Sequence, residues 1–179
     1  DQLVEVLRRD PRVDVHEGMN VRYLDPEDIG GPVDLTVADL SFISLTMVVS
    51  ALAGATRPGG NLLLMVKPQF EVGREKLEKA GVVLDPQKHR MAVARVVESA
   101  LTANLHIAGL APSPLPGQNC NVEFFLWLQV PAPGTPHPDA TLDAQAAARR
   151  LVDEAFDGFD GPGTKPADRL ADGERPAED

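Results

Sequence analysis

Residues 61–68 read NLLLMVKP, and this stretch decides the fold. The run from Leu62 to Val66 is apolar at every position, as suits a central strand of a parallel sheet covered on both faces, and Lys67-Pro68 ends it abruptly. Upstream, residues 33–40 (VDLTVADL) form a second strand rich in β-formers that ends on Asp39-Leu40. Between the two, residues 46–56 predict a small-residue helix that Arg57-Pro58-Gly59-Gly60 closes. Downstream, Asp85-Pro86 caps a long helix reaching about Leu105, with Val93, Val97, Ala100, Leu101 and Leu105 as its buried stripe. Residues 106–111 make a further strand, 112–117 a proline-rich turn, and 122–130 (VEFFLWLQV) the last strand. Strands alternating with helices and finishing in a hairpin-like pair predict a doubly wound α/β fold.

Before this unit come an amphipathic helix over residues 2–9, a short alternating strand over 13–17, a turn at Gly18, and one helical turn that Asp25-Pro26 starts. Residues 69–84 are polar, charged and glycine-punctuated, long enough for a connection in a compact domain to suggest an active-site or substrate loop. From Pro131 onward Pro, Gly, Ala and Asp dominate, which predicts a low-complexity acidic tail over 131–179, helical only within 140–156 and otherwise disordered. The domain proper is expected to be 1–130.

With 179 residues, 43% of them hydrophobic, the chain can bury one core. Its net charge of −10 argues against a nucleic-acid partner on average. That average is uneven: residues 1–130 carry 16 acidic and 12 basic side chains, whereas 131–179 carry 11 and 5. A lone Cys120 excludes a disulfide framework and a CxxC motif, and no apolar run approaches bilayer length. Neither a strongly amphipathic basic helix nor a barrel-like strand repeat is present to support pore formation. A soluble cytoplasmic protein is expected, and because the chain opens on a helix without Met, a fragment of a longer one.

Ligands of open α/β sheets bind outside the carboxyl ends of the strands, so polar residues that end apolar strands are the first candidates. Asp39, Lys67 and Glu123 qualify, the last because an antiparallel strand would start at that same rim. Each has a plainer reading: Asp39 as the cap of a helix starting near Ser44, Lys67 as a snorkelling surface amine, and Glu123 as a carboxylate paired with a lysine. Together they suit abstraction of a proton from an alcohol, with lysine as base and the carboxylates orienting it. Residues 74–95 hold Arg74, Lys76, Lys79, Lys88, Arg90 and Arg95 against three acids, which reads either as a solvated helix face or as a phosphate-contacting surface. The four histidines lack metal-ligand spacing, so no metal is expected; His89, early in a helix, is expected to face solvent or substrate.

Five strings occur in order: QLVEVLRRDPRV (2–13), VDLTVADLSFISL (33–45), VKPQFEVGREK (66–76), GVVLDPQKHR (81–90) and NVEFFLWL (121–128). Together they resemble the TlyA family of RNA methyltransferases, over residues 2 to about 128. The resemblance implies an FtsJ-like, Rossmann-like class I methyltransferase sheet lacking its first strands, and S-adenosylmethionine-dependent methylation of cytidine ribose 2′-hydroxyls in ribosomal RNA. It places the family's catalytic Lys-Asp-Lys-Glu set, from its second member on, at Asp39, Lys67 and Glu123. Cofactor contacts are implied at Asn20 and Val21 beside the adenine and at Asp39 and Leu40 on the methionine side, and the partner is ribosomal RNA or a ribosomal subunit. The first lysine of the set, the glycine-rich cofactor loop and the S4-like RNA-binding domain would lie upstream of Asp1, so the chain alone is expected to be inactive. The alternative is a non-catalytic RNA-binding module derived from such an enzyme. The family has also carried the label hemolysin.

Overall fold

A computed structural model describes residues 3–73, 75, 77, 81–134 and 144–157. Strands β1 (Val33–Ala38), β2 (Thr56–Val66), β3 (His106–Pro112) and β4 (Phe124–Gln129) form one sheet in the order β1-β2-β4-β3. β1 and β2 are parallel, and β4 inserts antiparallel between β2 and β3, pairing Val66 with Phe124 at one end and Asn61 with Gln129 at the other. Helices α1 (Glu5–Arg8), α2 (Val49–Gly54), α3 (Pro68–Glu71), α4 (Pro86–Thr102) and α5 (Ala144–Ala155) complete the described regular structure.

Side chains alternate across a strand, so the register defines two faces. Leu62, Leu64 and Val66 of β2 join Phe124, Leu126 and Leu128 of β4 and the buried stripe Val93, Val96, Val97 and Ala100 of α4 in the main core. The opposite face is open: Leu35, Val37 and Trp127 are exposed, and Leu63 and Met65 only half-buried. The double coverage expected of residues 61–66 is therefore met on one face. On the other, no described helix packs, and Trp127 Nε1 donates to Asn61 Oδ1 at 2.9 Å.

α4 starts as its sequence predicts, with Pro86 in the first turn and Asp85 Oδ1 accepting from the Gln87 amide at 2.9 Å. The turn at Pro26–Ile29 is likewise capped by Asp25. Other expectations need correction. Residues 13–17 form no strand, because among the described residues none pairs with them and an unpaired extended segment leaves its backbone groups to water. The first helix is confined to Glu5–Arg8. The expected helix at 46–56 splits into a 3-10 turn (Leu45–Met47) and α2, and Arg57-Pro58-Gly59-Gly60 belongs to β2 rather than to a terminating turn. These four residues bulge from the ladder between the pairs Val33–Thr56 and Leu35–Asn61. Gly59 takes φ +80°, and a Cβ on Gly60 would stand 2.9 Å from the Asp34 carbonyl oxygen.

The helix anticipated within the tail is docked. Ala148, Val152 and Phe156 of the α5 segment are buried in the main core, Phe156 stacking on Phe124 with ring centroids 4.9 Å apart. A smaller cluster packs Val72, just after α3, and Val83, just before α4, against Ala92 of α4. Among the described residues no helix is long and apolar enough to cross a membrane.

Candidate active site at the carboxyl rim of the sheet

Asp39 follows the last residue of β1, Lys67 follows the last of β2, and Glu123 precedes the first of β4. The antiparallel sense of β4 thus brings its start to the rim where the parallel strands end. Lys67 is extended (φ −112°, ψ 99°), as a residue before proline tends to be, and Pro68 opens α3 immediately beyond it. The geometry answers two of the plainer readings. Ser44, not Asp39, caps the next turn, its side chain accepting from the Thr46 amide. The Lys67 amine does not reach for water: its side chain is 13% exposed, with Nζ 2.6 Å from Asp39 Oδ1 and 3.4 Å from Ser41 Oγ.

Glu123 differs from expectation. It is buried, yet no ion pair joins it to Lys67; its Oε1 accepts from Gln69 Nε2 at 3.4 Å. The reason lies in the neighbouring strand end, since the amine of Lys67 turns toward β1 and leaves the Glu123 side to the first turn of α3. A buried carboxylate beside an amide is less compensated than one beside an ammonium, which keeps Glu123 available as an acceptor.

The loop after Asp39 carries Phe42, 90% exposed and at φ 64°, a strained conformation for an aromatic residue. Its ring lies 5.3 Å from that of Phe70. Phe42, Ile43, Ser44, Gln69, Phe70 and Leu77 line a cleft of about 470 Å³ in the same region. Glu71, which the sequence did not single out, ties this loop to α3: Ser44 Oγ donates to its Oε2 at 2.5 Å and the Leu45 amide to its Oε1 at 2.8 Å. Burial raises the Glu71 pKa above its usual 4.5, and the bonds from Ser44 and Leu45 and the charge of Arg95 pull the other way. Arg95 itself is engaged structurally, donating to the Glu71 carbonyl at 2.7 Å.

The remaining candidates are scattered. Asn20 caps the turn at Val21–Tyr23 through its side-chain oxygen, while Val21 and Leu40 are half-buried against the main core. Of the basic set, Arg74, Lys76 and Lys79 lie outside the described residues. Lys88 and Arg90 are half-buried, and Arg90 is engaged at the surface, its Nη1 2.5 Å from Asp153 Oδ1 and its guanidinium 5.0 Å from the centre of the Phe156 ring. Among the described residues no cluster of His, Cys, Asp or Glu could hold a metal ion.

His89 faces neither solvent nor substrate. It is fully buried, its Nε2 2.8 Å from the Val83 carbonyl and its Nδ1 without a partner. That geometry makes Nε2–H the donor and leaves the ring neutral. Burial depresses its pKa below the usual 6.5, opposed by the Val83 bond and the charge of Asp85. The unfolded chain therefore binds a proton before the folded one does, and the stability tied to His89 is present above about pH 6.5 and lost as pH falls toward the depressed value. Glu71 has the opposite sense: its contribution is complete below pH 4.5 and is lost as pH rises. Melting temperatures across this range should show an acid-side loss in the wild type that His89→Gln, which keeps a donor for Val83, removes. An identical pH dependence in the two proteins would assign the loss elsewhere.

The chain belongs to the FtsJ-like methyltransferase family, whose model matches residues 1–130. Over 128 residues it is 51% identical to the 16S/23S rRNA (cytidine-2′-O)-methyltransferase TlyA of Mycobacterium tuberculosis, an alignment covering 72% of this chain and 48% of that protein. Over 135 residues it is 38% identical to YqxC of Bacillus subtilis, covering 75% of this chain and 48% of that one. The chain thus spans about half the length of these curated relatives. A hemolysin-named solved structure from Streptococcus thermophilus superposes with a TM-score of 0.73 at 34% identity, covering 89% of this chain and 56% of that one.

Proposed function

We propose that this chain carries the catalytic rim of an S-adenosylmethionine-dependent enzyme that methylates ribose 2′-hydroxyls of cytidine in ribosomal RNA. The observation that carries the reading is the 2.6 Å Lys67–Asp39 contact at the carboxyl rim, with the buried Glu123 at the start of the neighbouring antiparallel strand. The polar groups present suit the cofactor: Asp39 is 66% exposed although it holds Lys67, which leaves carboxylate oxygen open to an ammonium group, and Asn20 is exposed where the adenine end is expected. S-adenosylmethionine, when bound, supplies an electrophilic methyl group on a sulfonium. Asp39 would hold its methionine end together with Leu40, and Asn20 and Val21 would flank the adenine.

The chain's own residues do the rest. Lys67 would take the proton of the ribose hydroxyl at Nζ, making that oxygen the acceptor for the methyl group that the cofactor would supply as its carbon–sulfur bond breaks to leave a neutral thioether. Asp39 fixes the direction of that amine, since a contact at 2.6 Å leaves the flexible stem few alternatives. Glu123, oriented by Gln69, accepts a hydrogen bond from the incoming hydroxyl or balances the ammonium that results. The cleft beside Phe42 and Phe70 offers an aromatic surface to an unstacked base, the usual way proteins hold single-stranded RNA. Arg74, Lys76, Lys79 and Lys88 supply phosphate contacts, and the enzyme acts in the cytoplasm on RNA or an assembled subunit.

The test is methyl transfer to ribosomal RNA by a protein of the relatives' full length that contains this chain, beside the chain alone. Transfer by the longer protein and none by the chain alone is expected. RNA binding by both with no cofactor binding by either would favour a non-catalytic RNA-binding module. In the longer protein Phe42→Ala is expected to weaken RNA binding about 5- to 150-fold, the usual range for losing one stacked base, and unchanged affinity in a filter-binding assay would remove Phe42 from the RNA surface.

A further inference from the structure

Glu123 is enclosed by more than Gln69. Gly117, on the connection between β3 and β4, lies so close that an added Cβ would meet Glu123 Oε1 and Cδ inside contact distance and stand 3.0 Å from Cγ. The backbone at Gly117 is ordinary extended chain (φ −75°, ψ −171°), which any residue adopts. Conformation therefore gives no reason for a glycine here, whereas the Glu123 carboxylate does.

The connection is also strained and locked. Asn119 and Cys120 are consecutive non-glycine residues with left-handed φ of 56° and 63°. Such backbone persists only where its surroundings over-determine it. Here the lock is Asn121, which is 3% exposed. Its Oδ1 accepts from the Val83 amide at 3.0 Å, and its Nδ2 donates to the carbonyls of Gln118 at 3.1 Å and Gly81 at 3.3 Å. Its main-chain oxygen accepts from the Gly117 amide at 2.8 Å, and the Cys120 amide donates to the Gly117 carbonyl at 3.1 Å. Asn121 thus closes the turn onto itself and fastens it to the end of the segment that follows Lys67.

We propose that the turn 117–121, locked by Asn121, is a clamp that sets the position of the Glu123 carboxylate, with Gly117 and Asn121 as positioning residues for the proposed methyl transfer. The catalytic relevance rests on the function proposed above; the clamp itself does not. The Asn121 side chain holds the turn, the turn holds Gly117 against the carboxylate, and Gln69 meets the carboxylate from the α3 side. A carboxylate confined in this way keeps one orientation without an ion pair.

The experiment is a double-mutant cycle on the chain, read by thermal melting and by the side-chain carboxyl ¹³C resonance of Glu123. Gly117→Ala is expected to lower Tm by about 3–10 °C, the overpacking range for a protein of this size, and to move the Glu123 resonance. In the Glu123→Ala background the same substitution is expected to change Tm by less than about 1 °C, because the atoms it would meet are gone. Asn121→Ala is expected to move the Glu123 resonance as well, although residue 121 does not touch that carboxylate. An equal Tm loss in both backgrounds, or a Glu123 resonance that stays in place in Gly117→Ala, would overturn the clamp. If Gly117→Ala fails to fold, recovery of folding in Gly117→Ala/Glu123→Ala supports it and continued failure rejects it. In the longer protein, Gly117→Ala is expected to lower kcat with KM for RNA unchanged; absence of transfer by the wild type would count against the proposed function alone.

Discussion

Lys67→Met and Lys67→Arg are both expected to stop methyl transfer, by about 10²- to 10⁴-fold, the range a positioned general base contributes, while leaving RNA affinity and Tm nearly unchanged. The two variants separate roles that one would confound. Methionine keeps the apolar stem that packs in the 13% exposed position and removes the amine. Arginine keeps a cation for Asp39 but cannot give up its proton, so it preserves the ion pair and forfeits the base. Stability should barely respond, because Asp39 is 66% exposed and pairs of that kind contribute about 0–1 kcal/mol. The measurement is initial-rate methyl incorporation into ribosomal RNA by the longer protein with melting curves alongside. Substantial transfer by Lys67→Arg would show that Lys67 acts as a charge and not as a base.

Phe156→Ala is expected to destabilise the chain by about 3–5 kcal/mol, the usual cost of emptying a buried aromatic site, lowering Tm by roughly 6–20 °C for a protein of this size. The side chain is 2% exposed, stacks on Phe124 and lies under the guanidinium of Arg90. Phe124 adjoins Glu123 in sequence, so the cavity opens one residue from the candidate site. A change below about 1 kcal/mol, within the range of ordinary surface substitutions, would mean that the α5 segment is not part of the cooperative fold. That result would favour the boundary near residue 130 that composition suggests.

The contrast between what the sequence disclosed and what it hid follows physical lines. The strands around Leu35, Leu64 and Leu126 were legible because β-formers and continuous apolar runs mark a sheet, and Asp39 and Lys67 because a charge ending such a run stands out. The rim position of Glu123 follows from the antiparallel sense of its strand, but its partner is not legible in sequence, since which way the Lys67 stem turns depends on contacts across strands. The burial of His89 is not legible in sequence, because helix periodicity does not reveal that the Val83 carbonyl lies against its ring. Glu71 sits in a polar stretch where a buried carboxylate looks like any exposed one. The stretch 57–60 reads as a turn by composition, yet it bulges within β2 and its backbone bonds to Val130, the Gly59 amide donating to the Val130 carbonyl and the Val130 amide to the Gly60 carbonyl. Gly117 carries no local signal, because only the folded chain brings Glu123 against it. Phe156 lay in a region whose acidic, proline-rich composition masked the short apolar stripe of Ala148, Val152 and Phe156.

The most direct measurement is nucleoside analysis of ribosomal RNA after reaction with S-adenosylmethionine and the longer protein, wild type and Lys67→Met. The prediction is 2′-O-methylcytidine formed by the wild type and absent with Lys67→Met. A methyl group found on a base, or ribose methylation that persists without the Lys67 amine, would contradict the assignment of this rim as a ribose 2′-O-methyltransferase site.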